Sequence, residues 1–400
     1  MHCVREITKD LYWVGGNDRR ITMFENIHPL KDGVSYNSYL LLDKKTVLFD
    51  TVDWTIVRQF VENIEYVLDG RTLDYLVINH MEPDHAAAIE EVLLRYPKAK
   101  VISTEKGFYL MTQFGFHVDP ANQITVKEGD KQNFGKHEIV FVEAPMVHWP
   151  EAMVSFDTTN GVLFSADAFG SFKALNGAMF NDEVDFDKDW IDEARRYYTN
   201  IVGKYGPHVQ HLLGKAPVDQ IKFICPLHGP VWRNDFGYLI DKYVKWSTYT
   251  PEEKAVMIVY ASMYGNTENA VEILASKLVQ KGIKVKLYDV SNTHVSHLIS
   301  DTFKYSHVIL SSVTYNLGIY PPMHNYLMDM KALNLQNRTF AILENGSWAC
   351  KVGSLMREFI ENNLKKSTVL NETVTLTSST NEVNLKEMDD LVESIVESMK

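Results

Sequence analysis

After residue 254 the chain alternates apolar strands and amphipathic helices in a regular rhythm: AVMIVY, ENAVEILASKLVQKG, KVKLYDV, HLISDTFKY, HVILSSVTY. Strands joined through helices run parallel, because each crossover returns the chain to the same end of the sheet. The pattern predicts an α/β domain over 254–400 with a doubly wound parallel sheet, helices on both faces and ligands at the strands' carboxyl ends. Residues 1–250 follow another grammar. Short β-rich runs (SYNSYLLL, KTVLFDT, LDYLVINH, KAKVIST, HEIVFVEAP, GVLFSADAF) are separated by polar loops, with some helical stretches such as WTIVRQFVENIEYVL between them. The proline and charges of STYTPEEK, at 247–254, mark the boundary between the two halves.

Length and charge narrow the function classes. Four hundred residues suit more than one domain, and a net charge of −12 argues against nucleic acid or an anionic membrane as partner. No apolar run reaches membrane-spanning length, and charges interrupt the N-terminus where a signal peptide needs its apolar core. Cys3, Cys225 and Cys350 form no CxxC pair. These features predict a reduced, cytoplasmic protein without a disulfide frame or a cysteine-bound metal.

In the second half, YASMYGNTENA (260–270) joins an apolar strand to an amphipathic helix. A helix N-terminus offers unpaired N–H groups and partial positive charge, so a phosphate here needs no lysine. The Walker pattern is absent, which disfavours nucleoside triphosphates. Taken alone, the stretch is equally read as a capped helix with Gly265 easing the turn. Two further loops, SVTYNLGIYPP (312–322) and ENGSWACKVG (344–353), follow apolar strands and carry glycine, small polar groups and an aromatic residue. A flat isoalloxazine ring needs backbone donors at one edge and an aromatic face for stacking.

The first half carries NHMEPDHAAAIEE at 79–91, with His80, Glu82, Asp84 and His85 crowded behind an apolar strand. His148 in APMVHWPEAM, Asp167 in VLFSADAFG and His228 in FICPLHGP each follow another such strand. A lone histidine is more often a surface or capping residue. Four histidines and three carboxylates exceed the needs of one zinc and suit two metals sharing a carboxylate.

The three loops of the second half resemble the FMN site of flavodoxins, although Val313 stands where many relatives place proline. HxExDH followed by His, Asp and His resembles the metallo-β-lactamase superfamily, whose fold is a four-layer αββα sandwich and whose hydrolases usually present HxHxDH to zinc. Here Glu82 replaces the second histidine. A carboxylate is the harder ligand and shifts preference from zinc towards iron or manganese. The charge of two ferrous ions is matched by three carboxylates and one bridging hydroxide. The whole chain therefore resembles the flavodiiron proteins, or A-type flavoproteins: a metallo-β-lactamase-like domain (1–250) followed by a flavodoxin-like domain (254–400).

The resemblance implies His80, Glu82 and His148 on one iron, Asp84, His85 and His228 on the other, and Asp167 bridging. It implies FMN against Ser262, Met263, Tyr264, Gly265, Asn266 and Thr267, with Thr314, Tyr315, Asn316 and Gly318, and with Asn345, Gly346, Ser347, Trp348 and Ala349. His28, in ENIHPLKDG, matches a position beside the irons that supplies a proton or hydrogen bond; its bland reading is a loop histidine before a proline. Tyr197 or Tyr198 reaches the same pocket, and the sequence does not choose between them. The implied activity is reduction of O2 to water, of NO to N2O, or both. The implied partners are rubredoxin or a similar separate donor, since no rubredoxin-like module follows, and a second copy in a head-to-tail homodimer or dimer of dimers. The rival readings are a zinc-dependent hydrolase carrying a flavodoxin domain, and an electron carrier with a structural metal site.

Overall fold

The structure, a computed structural model, describes residues 2–400. It divides into two compact units: residues 1–198 with 207–241, and residues 199–206 with 242–400. Among the described residues no helix is long and apolar enough to cross a membrane.

The first unit is built on two sheets. The larger runs in the order Arg5–Thr8, Leu11–Trp13, Tyr39–Leu42, Thr46–Phe49, Tyr75–Val77, Lys100–Ser103, Gln123–Thr125. The smaller runs Lys131–Asn133, Glu138–Glu143, Met153–Asp157, Val162–Phe164, Phe223–Cys225. Trp13, Tyr39, Phe49 and Val77 of the larger sheet meet Phe141, Met153, Phe164 and Cys225 of the smaller in one buried cluster. Phe49 and Phe164 stack at 3.8 Å between ring centres. Helices such as Val57–Leu68 bury one apolar stripe, Phe60, Val61, Ile64 and Val67, as their spacing requires. This is the expected sandwich. One expected strand divides: SYNSYLLL becomes Val34–Tyr36 and Tyr39–Leu42. The first piece pairs with Gly16–Asp18, outside the large sheet, because Asn37 turns inward to bond Pro226 O, Gly229 O and the Trp13 indole.

The second unit has a parallel sheet in the order Val285–Asp289, Glu253–Tyr260, Tyr305–Tyr315, Thr339–Asn345, Thr368–Leu376. Alternate residues of the strand Glu253–Tyr260 serve opposite cores. Met257 and Val259 pack with Leu298, Phe303, Met330 and Met356 on one face, while Val256 and Ile258 pack with Leu274, Leu278, Leu391 and Ile395 on the other. Strands buried on both faces read as continuous apolar runs, which is why this half was legible.

His307 in this sheet carries a pH dependence. It is buried between Ser306 Oγ (2.7 Å) and Ser398 Oγ (3.0 Å). Burial, helped by Lys254, lowers its pKa from the ordinary 6.5 to about 4. The unfolded chain therefore binds an extra proton between those values, so stability is full above pH 6.5 and falls below it. With screening, the loss by pH 4.5 is expected to be about 1–2 kcal/mol. Denaturant unfolding of the second unit's residues 242–400 within the intact chain, followed at pH 7.5 and at pH 4.5, checks this. His307→Gln should remove that part of the acid sensitivity.

Candidate metal centre and flavin pocket

The ligand-rich loop owes its shape to Pro83. Proline disfavours helical backbone in the residue before it and suits the first helical position. Glu82 is accordingly extended (φ −61°, ψ 137°), and the short helix Pro83–Ala86 carries Asp84 and His85. Glu82 and Asp84 thus leave the backbone in different directions. Val162–Phe164 and Phe223–Cys225 are parallel neighbours with Phe164 opposite Cys225, so Asp167 and His228 emerge at the same end of the small sheet.

All seven expected side chains meet. His80, Glu82, His148 and Asp167 form one group of donor atoms; Asp84, His85 and His228 form another. Asp167 lies between them. Its Oδ2 is 3.1 Å from His80 Nε2 and 3.2 Å from His148 Nε2, whereas its Oδ1 is 3.2 Å from His85 Nε2 and 3.8 Å from His228 Nε2. Glu82 Oε2 stands 3.3 Å from His80 Nε2 and 3.0 Å from His148 Nε2. Asp84 Oδ2 stands 3.3 Å and 3.2 Å from His85 and His228.

The donor chemistry fits a pair of cations. Every histidine presents Nε2 to the interior, and His85 and His228 bring these nitrogens within 3.0 Å of each other. The carboxylate oxygens of Asp84 and Asp167 are buried without a hydrogen bond of good geometry. Burial pushes Asp84 up to about 8. His148, which burial would lower, is raised to about 9 by Asp167 and Glu82. The same imidazoles hold Glu82 well below the carboxylate range against the effect of burial. Such strain among buried titratable groups is what bound cations relieve.

Sequence reasoning missed the supports of these ligands. Asp50, at the end of Thr46–Phe49, accepts bonds from Asn79 N (2.7 Å), Asn79 Nδ2 (2.7 Å) and His80 N (3.2 Å). Glu151 accepts from His80 Nδ1 and Met81 N. Two further buried carboxylates therefore stand behind the three that face the donor groups. His228 Nδ1 donates to Ser35 O at 2.7 Å. Of the two tyrosines expected at the pocket, Tyr197 has its ring 5.3 Å from that of His228 and 5.1 Å from that of Phe172. Phe24 packs edge-on to His228 as well. His28 is buried beside Phe172, with Nε2 3.7 Å from Glu25 Oε2. Burial and the neighbouring Glu82 carboxylate push Glu25 up to about 8. No spacing rule marks Phe24, Glu25 or Phe172, because Phe172 comes from a distant stretch of the chain and meets the Phe24 ring only after folding.

In the second unit a cavity of about 280 Å³ opens at the carboxyl ends of four strands. Ser262, Met263, Tyr264, Asn266, Thr267, Thr314, Tyr315, Asn316, Asn345, Gly346, Ser347, Trp348 and Ala349 line it, as does Ser378, which sequence reasoning missed. Gly265 and Gly318 shape the walls instead. Gly265 has φ 87°, the left-handed region that favours glycine, just before the helix Asn266–Gln280. Gly318 pairs with Tyr315 in a tight hairpin. Ser262 Oγ accepts from Gly265 N (3.1 Å) and Glu268 N (3.3 Å), which holds the first loop around the helix start. Asn345 Nδ2 donates to Thr267 Oγ1 at 3.1 Å, tying the third loop to the first. A side chain at Gly346 would meet Ala349 O at 2.1 Å. Tyr264 and Trp348 are 88% and 79% exposed, large aromatic surfaces that a stacked planar ligand would cover.

Comparison with known proteins agrees with this geometry. Residues 34–229 match the ODP family beta lactamase model and residues 258–392 the flavodoxin model. The anaerobic nitric oxide reductase flavorubredoxin of Aeromonas hydrophila is 33% identical over 352 residues, spanning 86% of this chain and 70% of that one. The chain belongs to the flavodiiron protein family. The rubredoxin oxygen:oxidoreductase of Desulfovibrio gigas superposes on this flavodiiron chain with a TM-score of 0.91 at 28% identity, covering 99% of it and 98% of that structure. The Giardia intestinalis flavodiiron protein shares the fold, with a TM-score of 0.90 at 23% identity over 100% of this chain and 98% of that one.

Proposed function

We propose that this flavodiiron chain reduces O2 to water, NO to N2O, or both, at two irons supplied with electrons through FMN. The division of Asp167's two oxygens between the two ligand groups carries this reading. His80, Glu82 and His148 would hold one iron, Asp84, His85 and His228 the other, with Asp167 shared, in a domain comprising residues 1–250. FMN would lie in the domain comprising residues 254–400. Its phosphate would meet the loop from Ser262 to Thr267; its ring would lie between the loops bearing Tyr315 and Trp348. When bound, FMN supplies one-electron transfer and the metal pair supplies adjacent open positions for a diatomic gas.

The residues around the irons do the rest. Phe24, Phe172 and Tyr197 form an apolar wall beside His228, which admits a small uncharged gas and limits water. His28 and Glu25 stand next to that wall, where each is placed to hand a proton inward. Rubredoxin or a similar carrier is the proposed donor, and a second copy arranged head to tail would bring one copy's flavin to the other's irons.

Purified protein, reduced anaerobically through a rubredoxin, tests this. About two irons and one FMN per chain are expected, with consumption of at least one of the gases. A flavin-loaded chain holding only zinc, and inert towards both gases, would favour the hydrolase reading instead. A Gly346→Val variant should lose FMN affinity by at least about 100-fold while keeping its iron, since the ring loop cannot close over the added side chain. Flavin fluorescence titration and iron analysis on the same sample check it.

A further inference from the structure

Glu151 is one of the most enclosed carboxylates in the first unit, with its side chain 1% exposed. Its Oε1 accepts from His80 Nδ1 at 2.8 Å and from Met81 N at 2.9 Å, while Oε2 is buried without a hydrogen-bond partner. The backbone holds it as well, since its carbonyl accepts from Thr104 Oγ1 at 3.2 Å. Trp149 covers the same corner, its ring 5.4 Å from that of His80. A buried carboxylate with half its acceptor capacity unused is costly unless a positive group faces it. The group facing it is His80, whose other nitrogen points into the metal centre.

The two halves of the centre differ in this respect. His228 is backed by a neutral acceptor, the Ser35 carbonyl, and His85 Nδ1 is buried without a hydrogen-bond partner. A carboxylate behind a ligating imidazole fixes its tautomer and makes the far nitrogen a stronger donor than a carbonyl does.

We propose that Glu151 is a positioning residue that locks His80 with Nε2 inward and makes the His80–Glu82–His148 position the tighter of the two metal positions. This rests on the two-metal reading above. Glu151 is not itself among the donor groups and acts through His80, with the Met81 N–H fixing its carboxylate in place.

Stepwise Co(II) titration of the metal-free, FMN-loaded chain, followed by visible absorption, is the test. The unaltered chain should take up two ions in distinguishable steps, the step for the tighter position being the one that His148→Asn removes and His228→Asn keeps. Glu151→Ala should weaken that step by about 10–100-fold and leave the other within about threefold. Glu151→Gln keeps the acceptor and loses the charge, so it should recover part of the affinity. In the cobalt-loaded protein the shifted, slowly exchanging His80 Nδ1–H proton resonance should persist in Glu151→Gln and vanish in Glu151→Ala. Equal weakening of both steps, no weakening of either, or a Glu151→Gln variant as poor as Glu151→Ala would overturn the proposal while leaving the two-metal reading intact. Failure of the unaltered chain to bind any ion would overturn both.

Discussion

Asp167→Asn should abolish gas reduction, by at least about 100-fold, and reduce iron from about two to below one per chain. The amide keeps the shape of the side chain, but it replaces one acceptor oxygen by a donor and removes a charge. Both oxygens are committed: Oδ2 to the group containing His80 and His148, Oδ1 to the group containing His85 and His228. One substitution therefore damages both metal positions, whereas His148→Asn or His228→Asn damages one. FMN content should be unchanged, because the flavin cavity is lined entirely by residues of the other unit. Iron analysis, flavin absorbance and gas-electrode rates on the same preparation decide it. Full turnover with a complete iron complement in Asp167→Asn would show that the shared carboxylate does not bridge.

Arg338→Ala should cost about 3–5 kcal/mol of stability in the second unit, the largest effect expected away from the metal ligands. Arg338 is 2% exposed and pairs with no carboxylate at hydrogen-bond distance; its guanidinium donates to five backbone carbonyls instead. Nε reaches Thr302 O at 2.7 Å and Nη2 reaches Phe303 O at 2.6 Å, carbonyls in the last turn of the helix Val295–Lys304. The helix dipole places partial negative charge there, and helix-end carbonyls need outside donors. Nη1 reaches Tyr249 O at 2.6 Å, fastening the segment that leads into the first strand of the sheet. Burial lowers the Arg338 pKa to about 9, yet the charge persists at neutral pH. Truncation leaves these carbonyls buried and unsatisfied. Denaturant unfolding followed by flavin fluorescence measures the loss, and Arg338→Lys should restore little, since one ammonium cannot span the same carbonyls.

How much of this was legible beforehand varies by element. The parallel sheet of residues 253–376 could be read directly, since doubly buried strands are apolar throughout and the helices between them are long. The sandwich was harder. SYNSYLLL reads as one strand because periodicity cannot register that Asn37 is drawn out of line by carbonyls about 190 residues away. The ligands were legible because metal chemistry admits few residue types and each follows a strand. Their supports were not. Asp50 and Glu151 sit in stretches where a carboxylate is unremarkable, and only folding places them behind Asn79 and His80. Tyr197 and Tyr198 are adjacent and chemically identical, and only the folded chain brings the Tyr197 ring against His228.

The linear chain thus determined what kinds of atoms are present and in which order strands deliver them: nitrogen and carboxylate donors in one half, a phosphate-ready helix start and two aromatic loops in the other. Pairing was decided in three dimensions. Which oxygen of Asp167 serves which histidines, and which histidine has a carboxylate behind it, depend on hydrogen-bond distances of about 3 Å. Side chains far apart in sequence come that close only when packed sheets fix both ends, and no local propensity encodes such a distance.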